Sequence, residues 1–233
     1  MELIDLGGAS PDDARRAAFL DGLCQKLELD YASYATQNPV TGAVHGYANY
    51  PDAWKQHYAE HGLQRVDPTL WRSVRSIAPV DWERFAEDDG FATVFDASRA
   101  FGIGAQGLTV PVRGPMGDCG LLSVTRDCPR DEWRRLKRQI VGELQVAAVH
   151  FHDSVMRSST VTSLMKLPML SSREREILQW VAAGKSQQDV ADILSISQRT
   201  VEVHIRSARE KLGALTTPQA VGRAVRMGLI TPG

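Results

Sequence analysis

The sequence predicts an α+β chain: an N-terminal α/β/α sandwich with a largely antiparallel sheet, then a C-terminal all-α helix-turn-helix domain. Three observations predict it. Residues 10–156 run through helix, strands, helices, strands and helix, an order that covers one sheet on both faces. Residues 170–230 show helical periods only, with a tight break between two of them. Between these regions Ser and Thr cluster in Arg157–Leu170, and Pro168 stops regular structure. The divisions expected are therefore 1–156, a linker at 157–169, and 170–233.

The elements follow in order. Ala14–Leu27 reads as a helix. Leu29–Thr36 and Ala43–Tyr50 read as strands joined by a Pro-Val-Thr-Gly turn. Asp52–His61 and Phe91–Phe101 read as helices, and Gln106–Arg113 with Cys119–Arg126 as a hairpin around Gly-Pro-Met-Gly-Asp. After Pro129 a long amphipathic helix offers Trp133, Leu136, Ile140, Leu144, Ala147, Phe151 and Val155 to a core.

In the last third, Val190, Ala191 and Leu194 lie at helical spacing, and Leu194-Ser195-Ile196-Ser197 breaks the pattern. Ser197 is a good N-cap, because its hydroxyl accepts from the free amides of a first turn. The helix that follows, Gln198–Leu212, buries Val201, Ile205, Ala208 and Leu212. It turns Arg199, Glu202, Val203, Arg206 and Glu210 outward, flanked by Arg209 and Lys211. A short turn and an Arg-bearing second helix are the parts of a major-groove reader. An ordinary bundle with a solvated charged face remains open on pattern alone.

Composition bounds the rest. The 233 residues suffice for two modest domains. The net charge of −1 divides unevenly: from Pro168 onward it is +3, and −4 elsewhere. A net of +3 is weak for phosphate binding, so two copies on one site are expected. No apolar stretch reaches the ~20 residues of a membrane helix. The acidic N-terminus lacks the profile of a signal peptide. Cys24, Cys119 and Cys128 form no CxxC and cannot all pair, which suits reduced thiols in a cytoplasmic protein.

Small-molecule chemistry concentrates in Asn49–Leu70. Tyr50, Trp54 and Tyr58 recur every four residues and share one helix face. Asp67 precedes a proline, where that helix cannot simply continue. Aromatic walls with a few directed polar groups make a ligand pocket. On spacing alone, Trp54 and Tyr58 serve equally as plain core aromatics. Other motifs point nowhere. Gly102–Gly107 satisfies GxGxxG but opens a strand, where a dinucleotide site needs a helix. His57 and His61 lie one turn apart without further metal-type neighbours, so no metal site is expected; His150 and His152 read as equally structural. No GxSxG or Walker motif appears, so an enzyme is not expected and no cofactor is assigned.

Both ends resemble one family, the LuxR-type regulators. Gly184, Lys185, Ile196, Ser197, Thr200, Val201, His204, Lys211 and Leu212 fit its DNA-binding domain. Upstream, Leu170, Arg173, Glu174, Leu178, Trp180 and Ala182 fit its preceding helix, and Met227–Ile230 fits its close. Ser207 and Thr216 depart, standing where the family often has Asn. The segment around Trp54 is similar to the family's autoinducer-binding domain, whose ligands are N-acyl-homoserine lactones. The resemblance implies that Trp54 donates to the lactone carbonyl and Asp67 accepts from the amide N–H. It also implies that Tyr50 and Ser123 hold the acyl carbonyl, Tyr58 and Trp82 wall the pocket, and Thr69 is polar beside Asp67. Gly107–Thr125 is similar to the family hairpin, and Cys119 and Leu121, alternating with Ser123, are expected to line the cavity.

What the resemblance implies is a ligand-dependent regulator that binds promoter DNA as a homodimer and controls quorum-sensing genes, with RNA polymerase among its expected partners. Dimer contacts are expected from Asp131–Met156 and Thr217–Met227. Arg199, Val203 and Arg206 are the expected base readers; Thr200, His204, Arg209 and Lys211 are expected at phosphates or in packing. Two alternatives stand beside this: a LuxR-type regulator answering a non-lactone ligand or a protein partner, and a dimerising scaffold that leaves its own helix unused.

Overall fold

A computed structural model of the chain describes residues 3–5, 11–37, 44–114, 118–158 and 169–231. The chain divides into two compact units, one built on the sheet and one on the last four helices. The Pro-Val-Thr-Gly turn, the centre of the Gly-Pro-Met-Gly-Asp turn and most of the expected linker lie outside the described residues.

The sheet unit contains β1 (Leu3–Asp5), α1 (Pro11–Leu27), β2 (Tyr31–Gln37), β3 (Val44–Ala48) and α2 (Asp52–Glu60). There follow α3 (Pro68–Trp71), β4 (Val80–Asp81), α4 (Asp89–Ser98), β5 (Gly107–Arg113), β6 (Cys119–Thr125) and α5 (Arg130–Met156). The strands form one sheet in the order β1-β3-β2-β6-β5-β4. β1 runs parallel to β3, and the other pairs are antiparallel. The short strands β1 and β4 extend the four strands read from the sequence; at three and two residues, neither is long enough to show an alternation.

Strands β5 and β6 are buried at nearly every position, as a sheet covered on both faces requires. Helix α1 packs on β2 and β3, and α5 on β5 and β6. α5 buries Trp133, Leu136, Ile140, Leu144, Ala148, Phe151, His152 and Val155. Ala148 thus takes the place expected for Ala147, because a step of four after Leu144 keeps a long helix facing one plane. His152 is buried and its Nδ1 lies 2.6 Å from the Tyr34 hydroxyl, whereas His150 is exposed; the two are not equivalent. Gly120 allows that pair, since a Cβ there would stand 2.4 Å from His152 Nδ1.

α4 starts two residues earlier than expected, because Asp88 caps it through Gly90 and Phe91 N–H groups. It tightens into a 3-10 turn at Arg99–Phe101 and stops at Gly102, whose φ of 73° suits glycine.

The helical unit holds α6 (Ser172–Ala182), α7 (Gln187–Leu194), α8 (Gln198–Lys211) and α9 (Thr217–Arg226). Serines open three of them. Ser171 and Ser186 form capping boxes with Glu174 and Asp189, and Ser197 accepts from Thr200 N–H at 3.1 Å. Ser195 ends α7 in the left-handed region and reverses the chain within the four-residue break. Val201, Ile205, Ala208 and Leu212 are all buried, as their spacing predicts.

Candidate functional site

The sheet unit holds a partly open cavity of about 190 Å³ between one face of the sheet and helices α2 to α4. Trp54 and Tyr58 reach it because α2 places residues four apart on one side. Tyr50, Asp67 and Trp82 also line it. Trp82 packs against Gly107 of β5 because that residue lacks a side chain; a Cβ there would sit 2.2 Å from the indole.

Asp67 is the polar centre. It caps α3, with Pro68 at the first helical position where no N–H is needed. Oδ1 accepts from Thr69 N–H at 2.8 Å and from its hydroxyl at 2.6 Å; Oδ2 accepts from the Tyr58 hydroxyl at 2.8 Å. A carboxylate offers about four lone-pair sites. Among the described residues three are taken, all by neutral donors, which leaves one site on Oδ2. Burial pushes the carboxyl pKa up, against the downward pull of Thr69 and Tyr58. Burial and then the Asp67 charge push the Tyr58 phenol up in turn. Tyr50 is pushed up by burial as well, with the Ser33 hydroxyl pulling the other way.

Trp54 is 4 % exposed and packs edge-on to Tyr58 with ring centres 5.6 Å apart. Its indole N–H meets no acceptor among the described residues, so a cavity with an open donor and an open acceptor faces the interior. Phe101 and His57 back the indole, and His61, exposed, stacks on His57.

Ser123, expected at the acyl carbonyl, has hydroxyl partners within the sheet unit. It lies on the cavity side of the sheet but hydrogen-bonds Thr109 Oγ1 at 2.8 Å, which in turn accepts from Trp82 Nε1 at 2.8 Å. Ser33, its cross-strand neighbour, is the hydroxyl that lines the cavity and meets Tyr50. Cys119 and Leu121 share that face but are not in the lining. The strand register decides this, and residue type alone carries no sign of it. Ala35, Gly46, Ala48, Lys55 and Leu70 also line the cavity and were not singled out from the sequence.

In the helical unit, Arg199, Thr200, Val203 and Arg206 are exposed on α8, with His204 half-buried between them. Val203 is 51 % exposed on the same face as Arg199 and Arg206. Arg206 pairs loosely with Glu202 at 3.4 Å. Arg209 donates to the Leu215 carbonyl, and its Nε is buried with no hydrogen-bond partner among the described residues. Lys211 reaches both oxygens of Glu174 at 2.8 Å, and Ser207 adds a third donor at 2.8 Å. Burial raises the Glu174 pKa, but the Lys211, Ser171 and Ser207 hydrogen bonds outweigh it and hold the carboxyl at about 2. Arg209 and Lys211 are thus tied into the unit, apart from the free outer face.

A sheet unit with an apolar-walled cavity, joined to a capped helix-turn-helix with an arginine-bearing outer face, defines a ligand-responsive regulator of transcription. Residues 12–155 match the family described as Autoinducer binding domain, and residues 168–224 match Bacterial regulatory proteins, luxR family. The chain belongs to the luxR family of quorum-sensing regulators. A protein of HTH type from Sinorhizobium fredii, y4qH, is 36 % identical over 78 % of this chain, which spans 56 % of that relative's length. RhlR of Pseudomonas aeruginosa, an HTH-type quorum-sensing regulator, is 32 % identical over 91 % of this chain and 88 % of its own. A solved structure of SdiA in complex with octanoyl-rac-glycerol superposes with a TM-score of 0.69 at 28 % identity, covering 93 % of this chain and 88 % of that one. No described helix is long and apolar enough to cross a membrane.

Proposed function

We propose that the cavity binds an N-acyl-homoserine lactone and that the ligand-bound protein, as a homodimer in the cytoplasm, binds promoter DNA. One observation carries the reading: the buried Asp67 keeps an acceptor site on Oδ2 while the Trp54 indole N–H has no described acceptor. An acyl-homoserine lactone offers one amide N–H and carbonyl oxygens, the complement of that pair. Leaving its N–H unpaired in this cavity would cost about 1–3 kcal/mol. Tyr50 and Ser33 supply hydroxyls for the acyl carbonyl; Thr69 and Tyr58 hold Asp67 in place. Ser123 acts one step back, through Thr109 and Trp82.

Ligand binding stabilises the sheet unit by mass action. Val146 and Val149, more than half exposed on α5, and Leu215 before α9 are the apolar surfaces a second copy would cover. On DNA, Arg199, Val203 and Arg206 read bases, Thr200 and His204 stand at phosphates, and Arg209 and Lys211 hold the reading helix in place. RNA polymerase is the further partner this role requires at an activated promoter.

A second reading has one observation in its favour. SdiA is seen with octanoyl-rac-glycerol, whose hydroxyls also suit a carboxylate, so an acylated head group other than a lactone stands as the alternative. One experiment separates them. The full chain is melted and tested on promoter DNA with a panel of lactones, with octanoyl-rac-glycerol, and without ligand. A lactone-specific rise in melting temperature, with stronger retention of promoter DNA, is expected. A rise with the glycerol ester alone transfers the cavity to the alternative, and no rise with either overturns both.

A further inference from the structure

Resting on the lactone reading, a finer property of the same cavity is written in its floor. Strands β2 and β3 pair so that Ser33 stands opposite Ala48 and Ala35 opposite Gly46. These four residues share one sheet face and all line the cavity. They form a contiguous patch of small side chains. On the next strand the partners of Ala35 and Ser33 are Leu121 and Ser123, which lie outside the lining. Gly46 is obligatory, since a Cβ there would fall 2.1 Å from the Tyr34 carbonyl oxygen. Its place in the floor therefore stays bare.

Above this floor runs α2. Ala59 and Lys55, one turn apart, line the cavity from that side. The Lys55 ammonium is held outward by Asp52 at 2.8 Å, so its methylene stem serves as apolar roof. The aromatic residues Trp82 and Phe95 crowd the other part of the lining, within a packed core cluster. That part suits a compact ring. The strip between floor and roof, from Ala48 to Val44, is about 13 Å long at the rise of an extended strand. It suits a linear aliphatic chain.

We propose that Ala35 and Ala48, flanking the bare Gly46, set the acyl length this protein accepts, and that they favour a chain of octanoyl length or longer over a short one. Each further methylene buried in the strip raises affinity about fourfold, up to the end of the strip at Val44. A larger side chain at either alanine fills the strip and leaves the head-group end untouched.

The test uses the full chain and three probes: butanoyl-, octanoyl- and dodecanoyl-homoserine lactone, with the concentration dependence of the melting shift as readout. Wild type responds to octanoyl lactone at concentrations about 250-fold below those for butanoyl. Ala48→Leu and Ala35→Leu lose that advantage by at least about tenfold and keep the butanoyl response within about threefold. Ala59→Leu narrows the strip from the roof and does the same, should a strand variant fail to fold. Equal weakening toward all three probes in variants that melt normally, or no change toward the long chains, overturns the inference while the lactone reading stands. A wild type that answers no lactone overturns both.

Discussion

Two buried carboxylates, one in each unit, are treated in opposite ways. Asp67 is 5 % exposed and Glu174 is 4 % exposed, so both have left water. Glu174 has a lysine, a serine hydroxyl and a backbone amide on it, and its pKa is held at about 2. Asp67 has neutral donors only, among the described residues, and its pKa is pushed up. The first is a clasp: it joins α6 to α8 and so sets the pitch of the reading helix. The second keeps acceptor capacity in reserve in a place where burial makes that unfavourable. A structure that stores an unfavourable group beside an empty volume marks where a ligand belongs.

Asp67→Asn is expected to give the largest effect. The amide presents a donor where a donor is needed from the ligand, so lactone response weakens by about 2–3 kcal/mol, roughly a hundredfold. The unliganded protein melts at the same temperature or higher, because an unpaired buried charge has gone. A fall in the unliganded melting temperature with ligand response intact would reverse the roles assigned to the two carboxylates. Lys211→Met comes next. It leaves Glu174 buried without its cation; with Lys211 40 % exposed and solvent screening the pair, the loss is about 2 kcal/mol in the helical unit. Amide exchange should quicken in α6 and α8 and stay unchanged around the cavity.

Arg206→Ala is expected to cost about 1–3 kcal/mol in DNA binding and to relax one base position, whereas Lys211→Met weakens target and scrambled DNA alike. An unchanged target-to-scrambled ratio in Arg206→Ala removes it from the base readers. Trp54→Phe deletes one neutral hydrogen bond and keeps most of the packing, so the lactone response weakens by about 1 kcal/mol.

Acidification has the smallest and most discriminating effect. The Glu174 pKa is depressed, so its stabilisation is complete above the ordinary value of 4.5 and is lost as pH falls toward about 2. The Asp67 pKa is raised, so its ionised form destabilises the fold, and protonation from above the ordinary 3.8 relieves that penalty. Between pH 5 and 3, exchange protection attributable to these groups should fall in the helical unit and hold or rise around the cavity. Parallel losses that vanish in neither Glu174→Gln nor Asp67→Asn would dissolve the contrast.

Much of this was legible in the residues. The buried stripe of α8 follows from its spacing, and Ser197 caps as its position demands, because helical periodicity and capping act over a few residues. Asp67 was legible in part: its place ahead of Pro68 marked the end of a helix and the resemblance singled it out, whereas its cap on α3 and its bonds to Tyr58 and Thr69 came from the fold. Ser33 was not. Nothing local distinguishes it from Ser123, and only the pairing of β2 with β6 puts one against Tyr50 and the other against Thr109.

By itself, the sequence determined the longer helices and the four long strands to within a few residues, which helix faces are apolar, and which side chains are able to donate or accept. Those properties arise from neighbours within one or two turns of chain. The tertiary structure alone decided that Ala35 meets Gly46, that Lys211 closes on Glu174 rather than facing outward, and that Trp54 and Asp67 border one cavity. Such contacts join residues far apart in the chain, and their register is set by the packing of whole elements, which no local pattern records.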